Sequence, residues 1–217
     1  MKRTLLGLAA LGLLASVAIT HVSAQINAVP QIGLTTGYLA KNTYSSAFIG
    51  LVPPASATDT VCITGSATKV VRVNRIVIGG SAGTLVQLPV TVVRRATADT
   101  GGTAATTTAN PGITTQIAAR DTGQATNASA TAVLVAYTAV PTINDAAPVY
   151  VDSANMSLSV TTAVTAPAMT VFDWSRDIEN NVQVPTLRGT AQQLCLNFNT
   201  ISISSGVLNG SITWSEE

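Results

Sequence analysis

The run Lys69-Val-Val-Arg-Val-Asn-Arg-Ile-Val-Ile78 is the clearest sign of the fold in this chain. It is rich in β-branched residues and has no helical spacing of apolar positions, which is typical of a β-strand. Alternation along a strand gives it two faces, Val71, Val73, Arg75 and Val77 on one and Val70, Arg72, Asn74 and Ile76 on the other. The glycines at 79, 80 and 83 follow and predict a turn.

Similar runs flank this strand in both directions, and no helical pattern interrupts them. The further predicted strands are Thr58–Thr64, Thr84–Ala96, Ile113–Arg120, Ala130–Thr138, Val149–Val160, Ala168–Trp174, Val182–Leu187, Gln192–Asn199 and Val207–Trp214. Pro89 predicts a bulge or an edge position inside its strand, because proline cannot donate to the ladder. The spacing favours an all-β fold, a jelly-roll-like antiparallel β-sandwich, over residues 57–217.

The N-terminal part of the chain has a different composition. Residues 1–24 combine Lys2 and Arg3 with an apolar run and a small-residue site ending at Ala24, which is the pattern of a cleaved export signal. The alternative is a retained apolar anchor helix, although the run is short for a bilayer span of about 20 residues. Residues 25–56 contain several prolines and glycines and are interpreted as an irregular N-terminal arm, with a short strand near Leu34–Ala40.

Charge is scarce and balanced in this chain of 217 residues. It has 11 Lys and Arg, 10 Asp and Glu, and 10% charged residues in all, against about 25% in an ordinary soluble domain. No basic footprint for nucleic acid is present. A surface so poor in charge suits a protein whose surface is largely covered in an assembly.

Cys62 and Cys195 are the only cysteines. In their predicted strands, the apolar neighbours point to one face and the cysteines to the other, with polar residues. An even pair in an exported chain favours a disulfide, which would contribute on the order of 4 kcal/mol in the chain-entropy model. Two free thiols are the alternative. A zinc or catalytic pair is not expected, because His21 is the only histidine and no further cysteine completes such a site.

The densest polar segment is a candidate ligand loop containing Asp173, Asp177 and Glu179. Loop carboxylates can hold calcium, but this spacing fits no known calcium loop and Arg176 lies among them. A solvated turn with an Arg–carboxylate pair is the favoured interpretation. Asp173 and Asp177 as a glycosidase pair is a weaker alternative, since nothing predicts a cleft. We therefore predict no catalytic residues, no metal and no cofactor.

Several segments together carry a resemblance to a known group. They are Gly65–Ile76, Val90–Gly102, Leu187–Leu194 and Gly210–Glu217. These segments resemble a family of mostly uncharacterised structural proteins encoded by bacteriophages and prophages. The resemblance implies a virion scaffold role and transfers no site residues. The signal-like N-terminus departs from that pattern, because tailed-phage virion parts normally assemble in the cytoplasm.

The leading hypothesis is therefore a non-enzymatic structural or surface-assembly subunit of phage-virion type, a homo-oligomer or a partner of other structural subunits. The second is a secreted β-sandwich module that binds carbohydrate or a cell surface, using Thr97–Gly112 and Asp173–Asn181. A hydrolase is the third. The expected location is exported, at the cell surface, in the periplasm or outside the cell, with the virion as alternative. A membrane is a partner only if residues 1–24 are retained.

Overall fold

Thirteen β-strands form the regular structure in the residues that a computed structural model describes, which are 41–54, 58–84, 86–101, 118–120, 131–145, 147–160, 169–175, 183–198 and 206–217. The strands are β1 (Asn42–Leu51), β2 (Asp59–Thr64), β3 (Val70–Ala82), β4 (Val86–Arg95), β5 (Thr100–Gly101), β6 (Ala118–Ala119), β7 (Val133–Ala136), β8 (Pro141–Thr142), β9 (Val149–Val160), β10 (Thr170–Asp173), β11 (Thr186–Arg188), β12 (Gln193–Asn197) and β13 (Val207–Glu216). The all-β prediction is confirmed. Within these ranges, no helix has the length and apolar character needed to cross a bilayer.

The main strands form two antiparallel layers. In sheet A, β13 lies between β1 and β3, β6 borders β1, and both β10 and β11 pair with the other edge of β3. In sheet B, the order is β9, β4, β12, β2, β7. One short parallel contact, Ser81–Ala82 against Ser159–Val160, joins β3 to β9 and makes the sheet nearly continuous.

The hydrophobic core is one cluster that draws side chains from both sheets. Its largest fully buried members are Trp214, Tyr44, Phe48, Leu51, Ile63, Ile76, Ile78, Leu88, Met156, Leu158 and Leu187. The rings of Tyr44 and Trp214 pack at a centroid distance of 6.1 Å, within the range of favourable aromatic pairs. Residues 41–217 form one compact unit around this core.

The two faces of β3 differ from simple alternation. Val71 and Val73 are buried as a pair, but the next buried residues are Ile76 and Ile78, while Arg75 is exposed. The register against β13 shifts between Thr213 and Trp214, so β3 contains one extra residue at this point. Such a bulge reverses the side on which later residues lie. The prediction that Val73 and Arg75 share a face is therefore corrected.

The segment expected to be an irregular arm contains a full strand. β1 pairs with β13 from Asn42 opposite Glu216 to Leu51 opposite Leu208. It is held by the buried side chains of Tyr44 and Phe48. The compact unit that contains both sheets spans Lys41–Glu217, so β1 belongs to it. The predicted signal or anchor, residues 1–24, and the strand near Leu34–Ala40 lie outside the described residues.

Candidate functional site

Cys62 and Cys195 form a disulfide between neighbouring strands. They are directly opposite each other in the β2–β12 pair, with Cα atoms 4.1 Å apart and 133 residues of sequence separation. The predicted pairing is confirmed. A disulfide is typical of proteins in oxidising compartments.

The disulfide lies on the face of sheet B that points away from the main core. There it forms a second buried cluster with Val93 and Tyr137. The segments after β4 and around β8 cover this face and are bonded to each other, because Asn144 Nδ2 donates to the carbonyl of Ala98 at 2.8 Å. Both cysteines therefore lie on the face of their strands opposite to the apolar neighbours, as predicted. That face is buried under the covering segments and not exposed to solvent.

Arg95 and Asp59 form an ion pair inside this covered face. Arg95 Nε and Nη2 donate to the two carboxylate oxygens of Asp59 at 2.7 and 3.1 Å, and both side chains are almost fully buried. Asn197 Nδ2 donates to Asp59 Oδ1 at 2.7 Å, and Arg95 Nη1 donates to the carbonyl of Asp145 at 2.8 Å. Burial opposes the charge of Arg95, but the carboxylate of Asp59 outweighs it, and the pKa of Arg95 is raised.

Asp99 adds a second buried carboxyl group beside this pair. Only 8% of the residue is exposed, and neither carboxyl oxygen has a hydrogen-bond partner. Burial and the neighbouring charge of Asp59 raise its pKa from 3.8 to about 7. The amide of Asn144 faces the carboxyl group and favours its charged form, but the geometry falls short of a hydrogen bond. In the protonated form, the carboxyl of Asp99 can donate to Asp59.

Neighbouring groups fix this arrangement. The amide of Asp99 donates to Gln193 Oε1 at 2.9 Å, and Gln193 Nε2 donates to Thr64 Oγ1 at 3.2 Å. Burial and then the charge of Asp99 raise the pKa of Tyr137. The pKa of Asp145 is lowered, because its carboxylate accepts hydrogen bonds from the amides of Ala96 and Ala147. The cluster therefore links β2, β4 and β12 to the segments above them and holds a proton near neutral pH.

The predicted ligand loop is separate from this cluster. Asp173 lies at the end of β10, where its carboxylate faces Arg75 Nε at 3.8 Å and accepts a hydrogen bond from the amide of Ser175 at 3.0 Å. Asp177 and Glu179 lie outside the described residues. The described part of the loop is thus an exposed ion pair and a turn.

A groove opens where β9 begins, close to the segment that leads into β11. It has a volume of about 360 Å³, and its walls include Arg94, Tyr150, Trp174, Gln183 and Thr186. Tyr150 is 68% exposed. An exposed aromatic ring beside polar groups is the kind of surface on which sugars stack.

Asp59, Arg95 and Asp99 form a group that was not predicted from the sequence. The available signal was weak: Asp59 opens one apolar strand and Arg95 ends another, positions where charges are ordinary. Arg94 is exposed and Arg95 is buried, so the two arginines lie on opposite faces of β4. No family model, curated protein or solved structure matches the chain.

Proposed function

We propose that the protein is a non-enzymatic structural subunit of phage-virion or cell-surface type, which associates with copies of itself through the outer face of sheet A. The observation that carries the proposal is the composition of that face. Four neighbouring strands place Ala47, Ser211, Val77 and Val171 in one row across it. Ile49 lies two residues after Ala47 on β1, and Met169 lies two residues before Val171, just ahead of β10. Both add exposed apolar surface next to this row.

The outward face of an antiparallel sheet is normally polar. Here Ile49 is 55%, Met169 64% and Val171 44% exposed, although burying each of them would be favourable. The row that follows contains the charged pair of Arg75 and Asp173. On β13, between these apolar residues, Ser211 and the exposed Asn209 are polar. Exposed apolar side chains with charges at the border of the area are typical of a protein–protein interface.

The strand order supports the same class of protein. With β10 and β11 counted as one, the eight principal strands in chain order are β1, β2, β3, β4, β9, β10–β11, β12 and β13. We number these eight strands 1 to 8 in chain order. Across sheet A they then lie in the order 1, 8, 3, 6, and across sheet B in the order 2, 7, 4, 5. We assign this order to a jelly roll, an architecture used by capsid and lectin domains. The disulfide and the signal-like residues 1–24 support export from the cytoplasm.

The oligomeric state tests the proposal. We expect the purified chain to form homo-oligomers at micromolar concentration, measured by mass photometry and by light scattering after gel filtration. The double variant Val77→Lys/Val171→Lys places two charges on the face and should be a monomer. The matched control is Val133→Lys, at a residue that is 52% exposed on β7 of sheet B, and it should assemble as the wild type does. A monomeric wild type would refute the proposal.

The groove favours a second candidate function, a secreted module that binds carbohydrate. Tyr150 supplies an exposed ring, and Arg94 and Gln183 supply polar groups beside it. A glycan array with the wild type, with and without calcium, should give hits that Tyr150→Ala removes. An array with no hits would count against this candidate.

A further inference from the structure

We propose that reduction of the Cys62–Cys195 disulfide converts the buried cluster into a site for a thiophilic divalent cation such as Zn²⁺, with both thiolates and the carboxylate of Asp99 as ligands. The proposal does not depend on self-association. It rests on one arrangement: ligand atoms of Asp59, Cys62, Asp99 and Cys195 all lie within 4.8 Å of one another. Asp59 lies three residues before Cys62, but Asp99 and Cys195 are distant from both in the chain, so no local sequence pattern predicts a metal here.

The ligand atoms are near enough to form a tetrahedral zinc site after a rearrangement. Zinc binds sulfur at about 2.3 Å and carboxylate oxygen at about 2.0–2.2 Å, which puts neighbouring ligand atoms about 3.4–3.8 Å apart. After reduction the two sulfurs must move apart, and a carboxylate oxygen, which starts within 4.8 Å of them, must approach by about an ångström. Cys62 and Cys195 are held opposite each other by the backbone pairing of β2 with β12 as well as by the disulfide.

Asp99 is the group that points to a ligand. Its carboxyl group is more than nine-tenths buried, lacks a hydrogen-bond partner on both oxygens and lies beside the two sulfurs. In its charged form this buried carboxyl group has no hydrogen-bond donor, which is costly, and coordination to a cation would remove that cost. Both oxygens of Asp59 already accept hydrogen bonds from Arg95 and Asn197, so Asp59 serves as a partner outside the first coordination sphere.

The charge and the ligand type select the metal. Arg95 already neutralises Asp59, so the oxidised cluster has little need for a hard cation such as Ca²⁺ or Mg²⁺. Reduction adds two sulfur ligands, which favour Zn²⁺ and similar ions. The residues around Asp99 from Ala96 to Gly101 are at least partly exposed to solvent.

The chemistry balances with a phosphine as reductant. The phosphine and one water become the phosphine oxide, and the disulfide takes up two electrons and two protons to give two thiols. Metal binding then displaces the thiol protons and the proton of Asp99 to solvent, so affinity rises with pH. The chain would thereby have a metal clamp across β2 and β12 in a reducing compartment and a disulfide in an oxidising one.

Cobalt titration tests the site on the full chain. We expect the protein reduced without oxygen to bind one Co²⁺ per chain, with a thiolate-to-cobalt charge-transfer band in the near ultraviolet, and Zn²⁺ to displace it. The oxidised protein and reduced Cys62→Ser should lack that band or show it strongly reduced. Asp99→Asn should weaken binding by about tenfold or more, as loss of even an outer partner does. Asp99→His, which restores a ligand atom, should recover it.

Asp152→Asn is the matched control, because Asp152 is exposed on β9, and it should bind Co²⁺ as the wild type does. The proposal is overturned if the reduced wild type gives no charge-transfer band. It is equally overturned if reduction abolishes the β-sheet circular dichroism before metal is added, or if Asp99→Asn binds Co²⁺ with unchanged affinity.

Discussion

Asp99 couples the stability of the disulfide-bonded protein to pH. Its pKa is about 7 in the folded chain and 3.8 in the reference state, so the folded chain keeps a proton that the unfolded chain releases between these values. The stability gained in this way is complete below about pH 4 and is lost as the pH rises through 7. Asp59, Arg95 and Tyr137 face this carboxyl, and Asp145 lies next to Arg95.

We therefore predict that the free energy of unfolding of the wild type falls relative to that of Asp99→Asn between pH 5 and pH 8. Urea unfolding followed by circular dichroism at both pH values measures this difference. The carboxylates of Asp145 and Glu217 have lowered pKa values and act in the opposite direction at acid pH, but they are the same in both proteins. A difference between the two proteins that does not change with pH would contradict the prediction.

The residue scale also shows what the sequence could not reveal. Asp59 and Arg95 are 36 residues apart in the chain, and Asp99 bonds to Gln193 across 94 residues. No local pattern marks such a group, because each member alone is an ordinary residue at a strand end or in a loop. Cys62 and Cys195 were predictable because cysteine is rare in the chain and both lie between apolar residues in clear strands.

At the scale of elements, the strands with strong β-branched or alternating patterns were predicted well. β9 has the predicted bounds, Val149–Val160. In β4, the pairing with β12 ends at Thr91, so Pro89 lies at an edge position, as proline requires. β1 was missed because Ser45, Ser46 and Ala47 carry little hydrophobic signal. Only its pairing along β13 explains the strand.

At this scale we predict the effect of adding a side chain at the centre of sheet A. β13 lies between β1 and β3, and an added Cβ at Gly210 would meet the carbonyl oxygen of Val77 and lie 2.5 Å from Phe48 Cζ. Phe48 is fully buried and cannot move without disturbing the core. Gly210→Ala should therefore destabilise the protein by about 1–3 kcal/mol or more.

Urea unfolding of Gly210→Ala measures that effect. Ser211→Ala is the matched control, since Ser211 is the next residue and lies on the outer face of the same strand, opposite Val77. The control should stay within about 0.5 kcal/mol of the wild type, as is usual for surface substitutions. Equal stability of both variants would show that the strands can move apart at this point.

At the scale of the whole molecule, the disulfide and the N-terminal segment both depend on the compartment in which the protein resides. The bridge closes 133 residues, and in the chain-entropy model such a loop contributes about 4–5 kcal/mol to stability. That contribution is available only where thiols oxidise, and export is what residues 1–24 predict.

We therefore predict that the natively produced protein starts at Gln25 and gains two protons on reduction, measured as intact mass. A mass that starts at Met1 with free thiols would contradict export and leave the virion or a retained anchor as the setting. The cluster of Cys62, Cys195 and Asp99 would then be in the reduced state in which we expect it to bind metal.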